Sequence, residues 1–237
     1  IIVAGIIISA LIISNSFNGI SPGQDNVISA QGVSTVKAMP NLVSVYFNIE
    51  TKAKTSENAT KLNSDIVEKL KSNLIAQGFD EKKIQTQGFS VYPNYEWVGG
   101  KQVDKGFIAT HSLILEMSAD ESEKIGKAID AGVSAGAGIS YINFELTQEK
   151  QNEYKAEALE LAAQDAKIKA QATASGLDQE IGKLVSVQVD NFGYYPWNVY
   201  SGSGRAEDAM LAKAETTSIT PSEQEVTASV TAVFKLK

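Results

Sequence analysis

The 237-residue chain contains no cysteine, one histidine and one arginine. The first absence removes disulfides, thiolate nucleophiles and sulfur-ligated metals. It does not fix a redox compartment, because an exported protein can simply avoid thiols. With His111 as the lone imidazole, a zinc site within one chain would have to draw its other ligands from carboxylates. With Arg205 as the lone guanidinium, bidentate phosphate clamps are nearly absent. A formal charge of -7 argues against partners that reward a basic surface, nucleic acid and anionic lipid among them. The length allows one large domain or two small ones, and 43% hydrophobic residues is ordinary for a globular core.

What is present begins with an apolar run. Ile1 to Ile13, IIVAGIIISALII, carries no charge, and the first charged residue is Asp25. The run is shorter than the roughly 20 residues that span a bilayer. Because it opens on isoleucine rather than methionine, it is expected to continue upstream. Residues 1–17 are read as a retained membrane anchor, with a cleaved secretory signal and a helix buried in a filament core as alternatives. Anchor or signal would place the remainder outside the cytoplasm, at the cell surface, in the periplasm or secreted. Residues 18–26 belong to the Ser-, Asn-, Gly- and Pro-rich stretch SNSFNGISPGQDN and serve as a linker.

The body, residues 27–237, alternates between two periods. Strands are predicted at Val27–Lys37 and Leu42–Thr51, the second burying Val43, Val45, Phe47 and Ile49. Thr55 or Ser56 caps a helix whose stripe is Ala59, Leu62, Ile66, Leu70 and Leu74, ended by Gln77-Gly78. Strands follow at Ile84–Trp97 and Phe107–Met117, then a helix through Ile125 and Ile129, and a strand at Ile139–Leu146. A long helix runs from near Gln148 to Ser175, with a mostly alanine face of Leu159, Ala162, Ala166, Ala170 and Thr173, and Gly176 ends it. Beyond it come a strand at Lys183–Val189, a loop from Asn191 to Ser222 with a short helix near 206–214, and a closing strand at Glu223–Leu236. The order ββαββαβαββ is α+β with antiparallel or mixed sheets packed by helices, and a division into subdomains 27–118 and 119–237 is compatible with it.

Few residues suggest chemistry. His111 lies on the strand side shared by Phe107, Ala109, Leu113 and Leu115, where a structural or interface role is expected. The glycines of Ala131–Gly138 follow a helix and precede a strand, the reverse of a phosphate loop, and are expected to form a flexible or close-packed connection. Glu153, Glu157, Glu160 and Asp165, interleaved with lysines, read as the wet face of the long helix rather than a glycosidase pair. Asn58-Ala-Thr60 is a formal glycosylation sequon placed on a helix. No cofactor, metal site or catalytic set is expected, and the chain is read as non-enzymatic.

The aromatic clusters differ. Tyr92, Tyr95 and Trp97, with Tyr194, Tyr195 and Trp197, fall in hairpin or loop regions, and rings of this kind are favoured at interfaces. They are the candidate interface residues. Capping of the protein's own sheet, self-assembly, and stacking against a ligand or glycan are the three readings they leave open. Val91–Trp97 and Tyr194–Trp197 also echo each other as aromatic-Pro segments leading to glycine-containing loops.

Several segments together resemble a known family. IQTQGFSVYPNY (84–95), GFIAT (106–110), the alanine-rich helix closing on Ala174-Ser-Gly176, GKLV (182–185) and ITPSE (219–223) leading into VTASVTAVF (226–234) are similar to the SIMPL-domain family. The resemblance covers roughly Val27 to Leu236. It departs at Ser222, where relatives usually have glycine in the turn before the last strand. It implies an extracytoplasmic α+β protein without transferable catalytic residues. Some relatives are immunogenic surface proteins, some are linked to oxidative-stress tolerance, and some form ring-like or channel-like oligomers. The expectation is therefore a membrane-anchored, self-assembling scaffold or interaction module of the cell envelope, with a small-molecule or glycan binding protein as the alternative.

Overall fold

The computed structural model describes residues 26–205 and 221–237. The apolar run of residues 1–17, the linker up to residue 25 and the helix expected near 206–214 lie outside the described residues. Among the described residues no helix is long and apolar enough to cross a membrane. In chain order the elements are β1 (Val27–Ala38), β2 (Leu42–Ala53), α1 (Ser56–Ala76), β3 (Ile84–Val98), β4 (Lys101–Ser118), α2 (Ile125–Ala135), β5 (Gly138–Glu145), α3 (Gln148–Ser175), β6 (Ile181–Tyr194), β7 (Trp197–Ser201) and β8 (Gln224–Leu236). The fold is α+β, with two antiparallel sheets and three α-helices among the described residues. It has one strand more than expected, because β6 runs on to Tyr194 and β7 forms where a long loop is predicted.

The described residues form two compact units that interleave along the chain. One takes residues 26–36, 155–193 and 227–237, the other residues 37–154, 194–205 and 221–226. A cut after residue 118 assumes that sequence neighbours pack together. Here the first strand instead lies beside the last, since Leu236 N–H donates to Asn26 O at 2.7 Å.

The larger unit is built on a sheet of order β3-β4-β2-β5-β7. Val43, Val45, Phe47 and Ile49 of β2 are buried, as the alternation predicts, together with Leu113 and Leu115 of β4 and Ile142 and Phe144 of β5. α1 and α2 pack over this side, and each large aliphatic or aromatic side chain taken from water there contributes about 1.5–3 kcal/mol. Thr55 caps α1 by accepting a hydrogen bond from Asn58 N–H at 3.2 Å. The inward stripe of α1 is Ala59, Asn63, Val67, Leu70 and Leu74. Leu62, expected inside, is 49% exposed. Asn63 takes the inner position because its amide donates to two strand carbonyls, Ile49 O at 3.0 Å and Ala109 O at 3.1 Å.

In the smaller unit the sheet order is β1-β8-β6. Ala228, Val230, Ala232 and Phe234 of β8 are buried and alternate with partly exposed neighbours, as expected, and Val226, which falls in the larger unit, is buried too. The buried row of α3 is Ala158, Ala162, Ala166, Ala170 and Ala174, while Thr173 is exposed and Leu159 only half-buried. A pure four-residue step winds slowly around the helix and follows a twisted sheet, which the mixed three-and-four spacing of the expected face would not. The row is alanine because β1 presents Gly32 to it: a Cβ there would overlap the Ala162 carbonyl oxygen and the Ala166 amide nitrogen. Helix α3 also closes the outer edge of β1. Val33 N–H donates to Asp165 Oδ2 at 2.9 Å, and Ser34 Oγ donates to Ala158 O at 2.6 Å. Helix α3 closes at Ser175, directly before Gly176 as expected, and the left-handed residue that follows is Asp178, with φ 54°.

Candidate functional site

The surface that the fold leaves without an internal purpose lies at one end of the larger sheet. β2 pairs with β4 from Leu42 opposite Ser118 to Ala53 opposite Phe107, and there it stops. β3 and β4 continue as a pair to Val98 opposite Lys101, so residues 94–105 form a two-stranded ribbon with no third strand beside it among the described residues. Gly99 and Gly100, with φ of 58° and 78°, make the two-residue turn at its tip, a conformation that suits the twist of a hairpin and favours glycine. β3 is the edge strand of its sheet and carries Pro93, whose missing N–H is tolerated at an edge. The pairing is irregular between Pro93 and Tyr95.

Cross-strand partners share a face. Tyr95 opposite Asp104 and Trp97 opposite Gln102 make one side of the ribbon; Glu96 opposite Val103 and Val98 opposite Lys101 make the other. Lys105 Nζ lies 3.0 Å from Glu96 Oε2 on that second side. Trp97 is 71% exposed and Tyr95 52%, and Val98 and Val103 are exposed as well. An isolated two-stranded hairpin is marginal in water, and this one shows solvent its most apolar residues. The sequence reading begins the second strand at Phe107 and so misses Lys101 to Asp104. The signal available for them is Gly99-Gly100 flanked by residues of strand type.

The other candidate residues separate by role. Tyr92 is 44% exposed and Tyr195 84%. Tyr194 is half-buried and accepts a hydrogen bond from Leu146 N–H at 2.6 Å, joining the end of β6 to the segment before α3; burial holds its phenol above the usual range. Trp197 stacks on Phe144 with centroids 5.6 Å apart and belongs to the larger unit's core. Thus Tyr92, Tyr95, Trp97 and Tyr195 are offered to solvent, whereas Tyr194 and Trp197 support the protein's own sheet. The two aromatic-Pro segments also differ in setting. One lies within β3, the other between β6 and β7.

His111 sits opposite Ile49 on one side and Phe89 on the other. Its Nε2 is 3.0 Å from Thr86 Oγ1, and its ring centroid is 5.4 Å from that of Phe89. Burial, then the charge of Lys71 on α1, lowers its pKa. These neighbours keep the ring neutral and supply no carboxylate to orient it as a base. Among the carboxylates of α3, Glu153 pairs with Lys150 at 2.7 Å and Glu160 accepts from Gln164, an ordinary solvated face. Asp165 does more, since it receives Val33 N–H and Lys169 together. Among the described residues, no three His, Asp or Glu side chains converge as metal ligands.

Comparison with known proteins gives a consistent set of relatives. The chain is 25% identical over 170 residues to the uncharacterized protein YggE of Escherichia coli strain K12, covering 71% of this chain and 68% of that protein. It is 24% identical over 217 residues to the 26 kDa periplasmic immunogenic protein of Brucella melitensis, covering 89% and 84%. A third relative, YggE of Edwardsiella ictaluri, is 24% identical over 190 residues, covering 78% of each. The family model described as SIMPL, protein of unknown function (DUF541), matches residues 28–234, which takes in both sheets and all three helices, and the chain belongs to that family.

Proposed function

We propose that this SIMPL protein is a membrane-anchored, extracytoplasmic and non-enzymatic component of the cell envelope, in which copies associate through the β3–β4 ribbon to build a scaffold or interaction platform. The observation that carries this reading is the ribbon itself. A strand pair that runs on past the end of β2, with Trp97 71% exposed and Tyr95 52%, offers its rings to solvent. Each such ring can bury about 150–250 Å² against a partner. The extracytoplasmic placement draws on the Brucella relative, a periplasmic protein by name. The anchor draws on the uncharged run from Ile1 to Ile13.

Size-exclusion chromatography with light scattering on the detergent-solubilised full chain tests the association. Mass should rise with concentration for the wild type and fall to that of a monomer for Tyr95→Ala/Trp97→Ala, with the melting temperature unchanged. A wild type that stays monomeric at every concentration, or an oligomer indifferent to the double substitution, would overturn the reading.

A further inference from the structure

The larger unit also contains a polar cleft that the ribbon does not touch. β5 begins at Gly138, opposite Asn48 of β2, whereas β2 continues to Ala53. Glu50 and Lys52 therefore extend past the start of β5, and the gap beside them is a cleft of about 550 Å³. The turn at Gly136, which ends α2 with φ 93°, stands on one side of it. The segment after β7 stands on the other and delivers Arg205.

That delivery is specified by close packing. Gly204, with φ 71°, is buried against Gly138, and a Cβ on Gly138 would overlap the Gly204 carbonyl. Asn48 Nδ2 donates to Gly204 O at 3.2 Å, and Arg205 N–H donates to Ser203 Oγ at 3.2 Å. Three glycines from distant parts of the sequence, Gly136, Gly138 and Gly204, thus line one site. The only arginine of the chain stands exposed in its lining, its backbone N–H held by Ser203.

The charges of the cleft run against those of the chain. The whole sequence carries -7. The lining holds one carboxylate, Glu50, against two cations, Lys52 and Arg205. Glu50 lies 2.9 Å from Lys52, while the Arg205 guanidinium takes part in no ion pair among the described residues. A planar guanidinium matches a carboxylate or phosphate through two parallel hydrogen bonds. Glu50 and the negative pole of α2, whose C-terminus is at Gly136, both oppose a dianion. A singly charged group is the better match.

We propose that this cleft binds a small molecule through a single carboxylate, with Arg205 as its bidentate anchor, Lys52 as the second cation, and Asn48 and Ser203 as neutral hydrogen-bonding groups. This site stands whether or not the ribbon joins copies. Titration of the full chain with sodium lactate, followed by calorimetry and by amide NMR shifts, tests it. Saturable binding with the largest shifts at Gly136, Gly138 and Gly204 is expected, weakened about tenfold or more in Arg205→Ala. Arg205→Lys should restore only part of it, because a point charge cannot form the fork. Inorganic phosphate should bind more weakly than lactate. Absence of saturation in the wild type, equal affinity in Arg205→Ala, or tighter binding of phosphate than of lactate would each overturn the assignment.

Discussion

Gly32 and Ala166 meet backbone to backbone: a Cβ added to Gly32 would lie 2.9 Å from the Cα of Ala166, and nearer still to its amide nitrogen. No rotamer change can relieve such a contact, because the atoms in the way belong to the helix backbone. The smaller unit therefore depends on a strand and a helix that approach as closely as two backbones can.

Gly32→Ala should destabilise the protein by about 3 kcal/mol, at the upper end of the usual cost of overpacking. Ala162→Leu and Ala166→Leu should cost about 1–3 kcal/mol each. Every kcal/mol corresponds to a fall of about 2–4 °C in melting temperature for a chain of this size. Calorimetry on the three variants decides it, and wild-type melting in Gly32→Ala would show that α3 does not rest on β1.

Asn63→Ala should cost about 1–3 kcal/mol, since it leaves the carbonyls of Ile49 and Ala109 without the donor that α1 brings them. Leu62→Ala, one residue away and 49% exposed, should cost much less. Urea denaturation of both variants separates the two positions. A larger loss at Leu62 would mean that α1 is rotated from the orientation described.

Acid should weaken the fold through His111. Burial and Lys71 lower its folded pKa, so the unfolded chain binds the proton more readily between that value and about 6.5. Stability therefore rises with pH through this window and is lost as pH falls through it. His111→Gln should flatten this part of the pH–stability curve, read by denaturant midpoints at several pH values. An unchanged slope would remove His111 from the account.

Asp165 should behave in the opposite sense. The hydrogen bond from Lys169, then that from Val33 N–H, holds its carboxyl below the usual range. Its contribution is present above the unfolded pKa of about 3.9 and is lost as pH falls through the lower folded value. A carboxyl NMR titration that places Asp165 at or above the ordinary aspartate range would contradict the contact.

How much of this is legible in the sequence depends on whether the signal is local. Thr55 announces the start of α1, and the alternation of Val226, Ala228, Val230, Ala232 and Phe234 announces the inner face of β8. The choice between Leu62 and Asn63 is not local, because it turns on two carbonyls donated by other strands. On α3 the row through Ala162 and Ala166 is equally weak in sequence; the absent side chain of Gly32, 130 positions before Ala162, settles it. The candidate site divides in the same way. Its rings stand out as residues, but Lys101 to Asp104 hold a single apolar residue, Val103, and become a strand through their pairing with β3. The cleft at Arg205 is illegible for a related reason, since it arises where β5 stops short of β2.

Pro93 bears on what kind of particle such a protein can make. A neighbouring strand laid along β3 would find no donor at that residue and an irregular backbone just beyond it. Continuation of one hydrogen-bonded sheet from copy to copy is the route to open-ended fibres. With that route interrupted at the ribbon's own base, the association proposed above would run through the rings of the arm rather than through a continued sheet.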